Sequence, residues 1–243
     1  MKSGRNNLRP IAHRGLWRPG GPPENSLAAI EAACAAGYDI ELDVQLTADD
    51  RAVVFHDPGL KRMTGREGRV RDLQANELGR QKLAGSNETI PTLKQALDLV
   101  GDRATIFIEL KTPVGREGPL EGAVAQALDA WRGSAMVVGF NPFALAELRR
   151  IAPWIRRGLS GSDHVDFDAR LATPDASRPF QRDHLEIAAP AALIVGQRII
   201  KQPRVVSMRR AGLPVIVWTL RSVVERDRLA RLADGYMFEG FPA

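Results

Sequence analysis

The sequence predicts an α/β protein, a single (β/α)8 TIM-type barrel over residues 1–243 with a β-hairpin extension after the second strand. Three observations carry that prediction. Short apolar runs alternate with amphipathic segments of helical length, as parallel strands do when crossover helices join them. Eight such runs remain for closure once a ninth is set aside as the returning arm of a hairpin. The chain has 243 residues, close to the roughly 250 that such a barrel takes, and no repeat, low-complexity tract or Pro/Gly-rich linker divides it.

The first run, 10–13, ends at His13. Asn25 or Ser26 then caps a helix that stops at Gly37. The second strand, 38–44, holds Glu41-Leu42-Asp43, and Thr47-Ala48-Asp49-Asp50-Arg51 turns the chain back into 52–56, which ends at His56. A two-residue loop at Asp49-Asp50 sets Asp43 directly opposite His56; a slip of one residue removes that pairing. The third barrel strand is 105–111 and the fourth 136–140, after which Asn141 and Pro142 open a helix. Strand 155–160 follows. From 161 to 181 there is no clean period but several Asp and Pro residues, the pattern of a long loop at the catalytic rim. Strand 192–195, a helix over 202–211 ended by Gly212, and strands 214–219 and 236–239 complete the set.

Charge and composition narrow the partners. The net charge is +5, spread over arginine doublets at Arg149-Arg150, Arg156-Arg157 and Arg209-Arg210 that read as solvated faces. Aromatic residues make up 6% of the chain, and no basic stripe with interleaved aromatics is present, so no nucleic-acid partner is expected. Cys34 is the one cysteine and sits in an Ala-rich helical pattern, which rules out an internal disulfide and suits a reducing compartment. Without an apolar leader run or any span of 18 apolar residues, the expectation is a cytoplasmic protein with no stable membrane association, monomer or homodimer.

The residues that carry chemistry gather at strand ends. Glu41 and Asp43 are two apart on one strand, so they project from the same face and can share one cation. Glu109 and Lys111 are likewise two apart in Ile106-Phe107-Ile108-Glu109-Leu110-Lys111, a charged pair on an apolar strand that is costly unless something binds it. Taken singly, each carboxylate is a strand-end ion pair or a cap; together, Glu41, Asp43 and Glu109 form a hard oxygen set suited to one divalent cation, Mg²⁺ or Ca²⁺, as cofactor. His13 and His56 converge on that set. Imidazole is the side chain whose proton affinity best suits acid and base work near neutrality. His164 and His184 have no comparable neighbours in the sequence.

The order His13-Arg14-Gly15, Glu24-Asn25-Ser26, Glu41-Leu42-Asp43, His56-Asp57, Ile90-Pro91-Thr92-Leu93 and Glu109-Leu110-Lys111 resembles the glycerophosphodiester phosphodiesterase family. Phe140-Asn141-Pro142, Val217-Trp218-Thr219 and Asp234-Gly235 extend the likeness more loosely, while 161–201 adds little. The resemblance implies a barrel hydrolase that cleaves a small-molecule glycerophosphodiester substrate to an alcohol and sn-glycerol 3-phosphate. It further implies that His13 and His56 are the acid/base pair and that Glu41, Asp43 and Glu109 are the metal ligands. Arg14 and Lys111 become phosphate contacts, Trp218 a wall of the glycerol pocket, Glu24 a further substrate or metal contact, and Asn25 a brace for the loop after His13. The chain departs from the family's usual pattern at Ser26, Gly139, Leu220-Arg221 and Phe238-Glu239-Gly240-Phe241. Those last changes are expected to leave the chemistry alone and to bear on the alcohol group, with Arg221 and Glu239 as a rim ion pair.

Other readings compete with this one. A hydrolase of lysophospholipids or other lipid diesters needs an apolar groove or insertion near the rim, for which the stretch 60–89 gives little room. A catalytically inactive barrel that only binds phosphorylated ligands has no use for a paired acid and base. An isomerase or aldolase wants its lysine beside an apolar pocket, whereas Lys111 has acidic neighbours that keep it charged.

Overall fold

The computed structural model describes residues 9–83, 85–163 and 180–243. Eight parallel strands close into a barrel: β1 (Ile11–His13), β2 (Asp39–Leu46), β4 (Thr105–Leu110), β5 (Ser134–Gly139), β6 (Arg156–Gly161), β7 (Ala192–Gly196), β8 (Val215–Leu220) and β9 (Gly235–Phe238). Closure runs through β1, which pairs with β2 on one side and β9 on the other. The ninth strand, β3 (Ala52–Val54), lies antiparallel to the far end of β2 and stands outside the barrel count, as the hairpin extension requires.

Helices α1 (Leu27–Ala35), α4 (Leu93–Val100), α5 (Pro119–Asp129), α6 (Pro142–Ile151), α7 (Arg182–Ala188), α8 (Pro203–Arg210) and α9 (Val223–Leu229) form the outer layer. Their ends follow local chemistry. Ser26 caps α1, its Oγ accepting from the Ala29 amide at 3.1 Å, which leaves Asn25 free for another task. Asn141 caps α6 ahead of Pro142, and Gly37 and Gly212 sit at positive φ past α1 and α8.

Alternation along each strand sorts the side chains into two layers. Ile40, Leu42 and Val44 of β2 face outward and pack with Ile30, Ala33 and the buried face of α4. Ile11, Phe107, Met136, Val138, Ala192, Ile194, Ile216 and Met237 fill the barrel interior as a separate apolar core. Gly158 belongs to that inner row: a Cβ there would lie 3.1 Å from Val138 and 3.3 Å from the Met136 sulfur, so only glycine leaves room for the filling. Above it the same inward rows switch from apolar to charged, and that switch positions the site.

Two features differ from the sequence expectation. In the β2–β3 hairpin Val44 pairs with Val54, and the Phe55 amide donates to the Asp43 carbonyl at 3.0 Å, so Asp43 lies opposite Phe55 rather than His56. The cause is a three-residue loop, Ala48-Asp49-Asp50, in which the Asp50 amide bonds the Thr47 carbonyl and Asp50 takes φ 52°, a type I turn closed by a left-handed residue. Secondly, the stretch after the hairpin has a core of its own. Val53, Phe55, Leu60, Val70, Leu78, Leu83 and Ile90 are buried together under α2 (Lys61–Thr64) and α3 (Ala75–Leu78). Of the long loop expected at 161–181, residues 164–179 lie outside the described residues.

Candidate active site

β1 delivers His13 to the mouth of the barrel, and the register sets it beside Glu41 on β2. On the other side of β2, Asp43 pairs with Glu109 on β4. Glu41, Asp43 and Glu109 each bring a carboxylate oxygen within 4.8 Å of the others, as their spacing predicts. Lys111 extends the same inward row. Its ammonium lies 2.8 Å from Asp43 Oδ1 and also pairs with Glu109.

Arg14, at φ 59° just past β1, donates its backbone amide to Glu41 Oε2 at 3.0 Å and its guanidinium to Glu24 Oε1 at 2.9 Å. Its Nε stands 3.3 Å from Asp43 Oδ2 at an angle too poor for a hydrogen bond. Asn25, also at positive φ, donates its amide to Asp43 Oδ2 at 2.9 Å, accepts from the Asp43 backbone at 3.3 Å, and donates its own backbone N–H to the Arg14 carbonyl. It therefore braces the loop after His13, as expected, and also fixes one carboxylate.

The electrostatics follow from crowding. Burial, then repulsion from Asp43 and Glu109, pushes the Glu41 carboxyl well above the usual range, and its Oε1 is buried with no hydrogen-bond partner among the described residues. Burial acts the same way on Asp43, but Lys111, His56 and Arg14 overcome it and hold Asp43 well below its ordinary value. Lys111 is raised despite burial because Asp43 and Glu109 favour its charged form, as its sequence neighbours suggested. Three carboxylates crowd one space, and the Glu41 oxygen left without a partner among the described residues marks where a hard dication fits the donor set.

His56 reaches the same cavity although the hairpin register does not place it opposite Asp43. The strand ends at Val54, and the Gln45 amide gathers the carbonyls of Phe55, His56 and Asp57, bending the chain over the barrel mouth. His56 Nδ1 lies 2.7 Å from Asp57 Oδ1, and Arg62 holds Asp57. Burial would raise the Asp57 carboxyl, but hydrogen bonds from His56 and Arg62 bring it far below the usual range.

His13 has a matching arrangement that sequence reading did not find. Its Nδ1 lies 2.7 Å from Glu239 Oε2, while Arg221 donates to Glu239 Oε1 at 2.7 Å. The rim ion pair between Arg221 and Glu239 is present, and its carboxylate also meets His13, so the departure at the last strand reaches into the candidate site. Glu239 directly follows β9, a neighbour of β1. A carboxylate at the carboxyl end of a barrel strand was the available signal. Burial opposes ionisation of Glu239, but its bonds to His13 and Arg221 lower its pKa to about 2. Burial also lowers the His13 pKa.

The cavity between these groups measures about 920 Å³, with His13, Arg14, Asp43, His56, Lys111 and Trp218 in its wall. Trp218 meets Phe140 edge to face at 5.7 Å, and its indole N–H is buried with no hydrogen-bond partner among the described residues. Glu24 is not part of the wall. Arg14 and Arg62 take its carboxylate oxygens, so it backs two guanidinium groups of the site.

The model of the glycerophosphoryl diester phosphodiesterase family matches residues 13–235. The chain belongs to this family. A glycerophosphodiester phosphodiesterase of Caldanaerobacter subterraneus is 35% identical over 61% of this chain and 65% of its own length, so the aligned part spans slightly under two thirds of that relative. One of Bacillus subtilis is 30% identical over 96% of this chain and 83% of its own. A phosphodiesterase of Oleispira antarctica, solved with the product sn-glycerol-3-phosphate, is 27% identical and superposes with a TM-score of 0.81 over 96% of this chain and 93% of that one. The family places the chain among phosphodiester hydrolases built on this barrel. Among the described residues no helix is long and apolar enough to cross a membrane.

Proposed function

We propose that this family member hydrolyses glycerophosphodiesters to an alcohol and sn-glycerol 3-phosphate, with one divalent cation, Mg²⁺ or Ca²⁺, held by Glu41, Asp43 and Glu109. The observation that carries the reading is the convergence of three carboxylates within 4.8 Å beside two imidazoles in one cavity. When bound, the cation would supply a Lewis acid for a phosphoryl oxygen. The rest falls to side chains. A phosphodiester is anionic and repels nucleophiles, so positive charge must meet its non-bridging oxygens before attack. Arg14 offers two parallel donors and Lys111 a compact point charge, both kept ionised by buried carboxylates. One imidazole then takes the proton of the nucleophile while the other returns a proton to the leaving alkoxide. Trp218 walls the glycerol end of the cavity, and Glu24 acts through Arg14 and Arg62.

Release of glycerol 3-phosphate from glycerophosphocholine and glycerophosphoethanolamine, with and without EDTA, tests the reading. We expect turnover that EDTA abolishes and that falls on the order of 10²- to 10⁴-fold in His13→Ala and in His56→Ala. Turnover indifferent to chelation, or undiminished in both variants, would falsify it.

A further inference from the structure

Glu239 lies outside every motif that ties this chain to its family, and the loop that carries it departs from the family's pattern. Its side chain is only 12% exposed, and one oxygen faces His13 Nδ1 at 2.7 Å while the other faces Arg221 Nε at 2.7 Å. An ionised carboxylate has no hydrogen to give, so the bond to His13 has a single polarity: Nδ1–H donates and Oε2 accepts. The remaining ring nitrogen, Nε2, then carries the lone pair, and it is directed at the carboxylate cluster, 3.8 Å from Glu41 Oε2. Arg221 keeps the carboxylate charged without competing for the oxygen that His13 uses.

We infer that Glu239 is the positioning residue of His13: anchored by Arg221, it fixes the imidazole as the Nδ1–H tautomer and turns Nε2 toward the reacting centre. The inference rests on the proposed hydrolase reading for what Nε2 does there, but not for which tautomer exists. A bare rim ion pair would leave His13 indifferent to residue 239. The bond also joins β1 to the segment after β9, so it sets the ring's orientation from the barrel's closing seam. A carboxylate on Nδ1 makes Nε2 a better proton acceptor and stabilises the imidazolium once the proton has arrived.

The test combines a spectroscopic and a kinetic readout on the full chain with Mg²⁺ present. ¹⁵N-histidine spectra of the wild type, with the His13 signals assigned by their loss in His13→Gln, should show Nδ1 protonated and Nε2 unprotonated at neutral pH. In Glu239→Gln, whose carboxamide can either accept or donate, that single-tautomer signature should give way to a mixture. Turnover of glycerophosphocholine should fall roughly 10²-fold in kcat with KM within about twofold, and Glu239→Asp should recover part of the loss. Arg221→Gln, which leaves the carboxylate in place, should cost less than Glu239→Gln and keep the Nδ1–H signal, and it serves as the folded control. An Nε2–H tautomer in the wild type, or identical spectra and kcat in Glu239→Gln, overturns the inference. A wild type that shows the Nδ1–H signature but no turnover supports the positioning role and overturns the hydrolase reading instead.

Discussion

His13 and His56 each set Nδ1 2.7 Å from a carboxylate oxygen, and each of those carboxylates meets an arginine, but the two assemblies are built from different stretches of chain. His56, Asp57 and Arg62 fall within seven consecutive residues on the bent arm after β3, and the His56 side chain is 30% exposed. His13 and Glu239 are 226 residues apart in sequence, and the His13 side chain is 9% exposed. A local assembly reforms when a bond is lost, because its members remain tethered and water can replace a partner. A long-range buried one has neither resource, and its loss leaves a polar atom stranded.

Four outcomes would sharpen or break that contrast, beginning with the catalytic one. Asp57→Asn should reduce kcat only about tenfold, at the low end of the roughly 10- to 100-fold that a carboxylate supporting a histidine contributes, against the roughly hundredfold expected for Glu239→Gln. Equal losses measured side by side would erase the distinction. Next, Mg²⁺ at a hundred times its Kd should stabilise the protein at neutral pH by about 2.7 kcal/mol, seen as a Tm rise that EDTA reverses and that Asp43→Asn removes. That shift should survive in both Asp57→Asn and Glu239→Gln, since neither residue belongs to the cation set.

The third outcome concerns acid. The folded-state pKa of Glu239, about 2, is depressed from its ordinary value of 4.5, so its contribution to stability is fully present above pH 4.5 and is lost as pH falls toward 2. Glu239→Gln should therefore lose stability relative to the wild type at neutral pH, by about 1–3 kcal/mol for a broken buried hydrogen bond, and the gap should narrow in urea titrations below pH 4.5. Smallest of all, Ser26→Ala, which removes a hydroxyl bonded to the Ala29 amide and the Pro23 carbonyl but to neither arginine, should cost about 1 kcal/mol and leave the ratio of the two histidine effects unchanged.

What the sequence disclosed follows the same division between near and far. The eight barrel strands were legible because short apolar runs alternate with amphipathic segments of helical length, and Glu41, Asp43, Glu109 and Lys111 because pairs two apart must share a face. The hairpin register was off by one residue, since nothing in Asp49-Asp50 alone announces that Asp50 adopts φ 52° and lengthens the loop. The small core around Phe55, Leu60 and Leu78 stayed hidden because helices of four residues are too short to display a period. Glu239 was noticed as a departure but not as a partner of His13, a relation that exists only through barrel closure.

The seam where the first and last barrel strands meet has a consequence for the life of the molecule. His13 gains its Nδ1 partner only when the segment after β9 is seated beside β1, so a chain with every other strand in place would still lack that anchor. Proteolytic nicking or thermal fraying along that one joint should silence turnover before the bulk of the structure melts, making enzymatic rate a more sensitive gauge of an intact cylinder than circular dichroism.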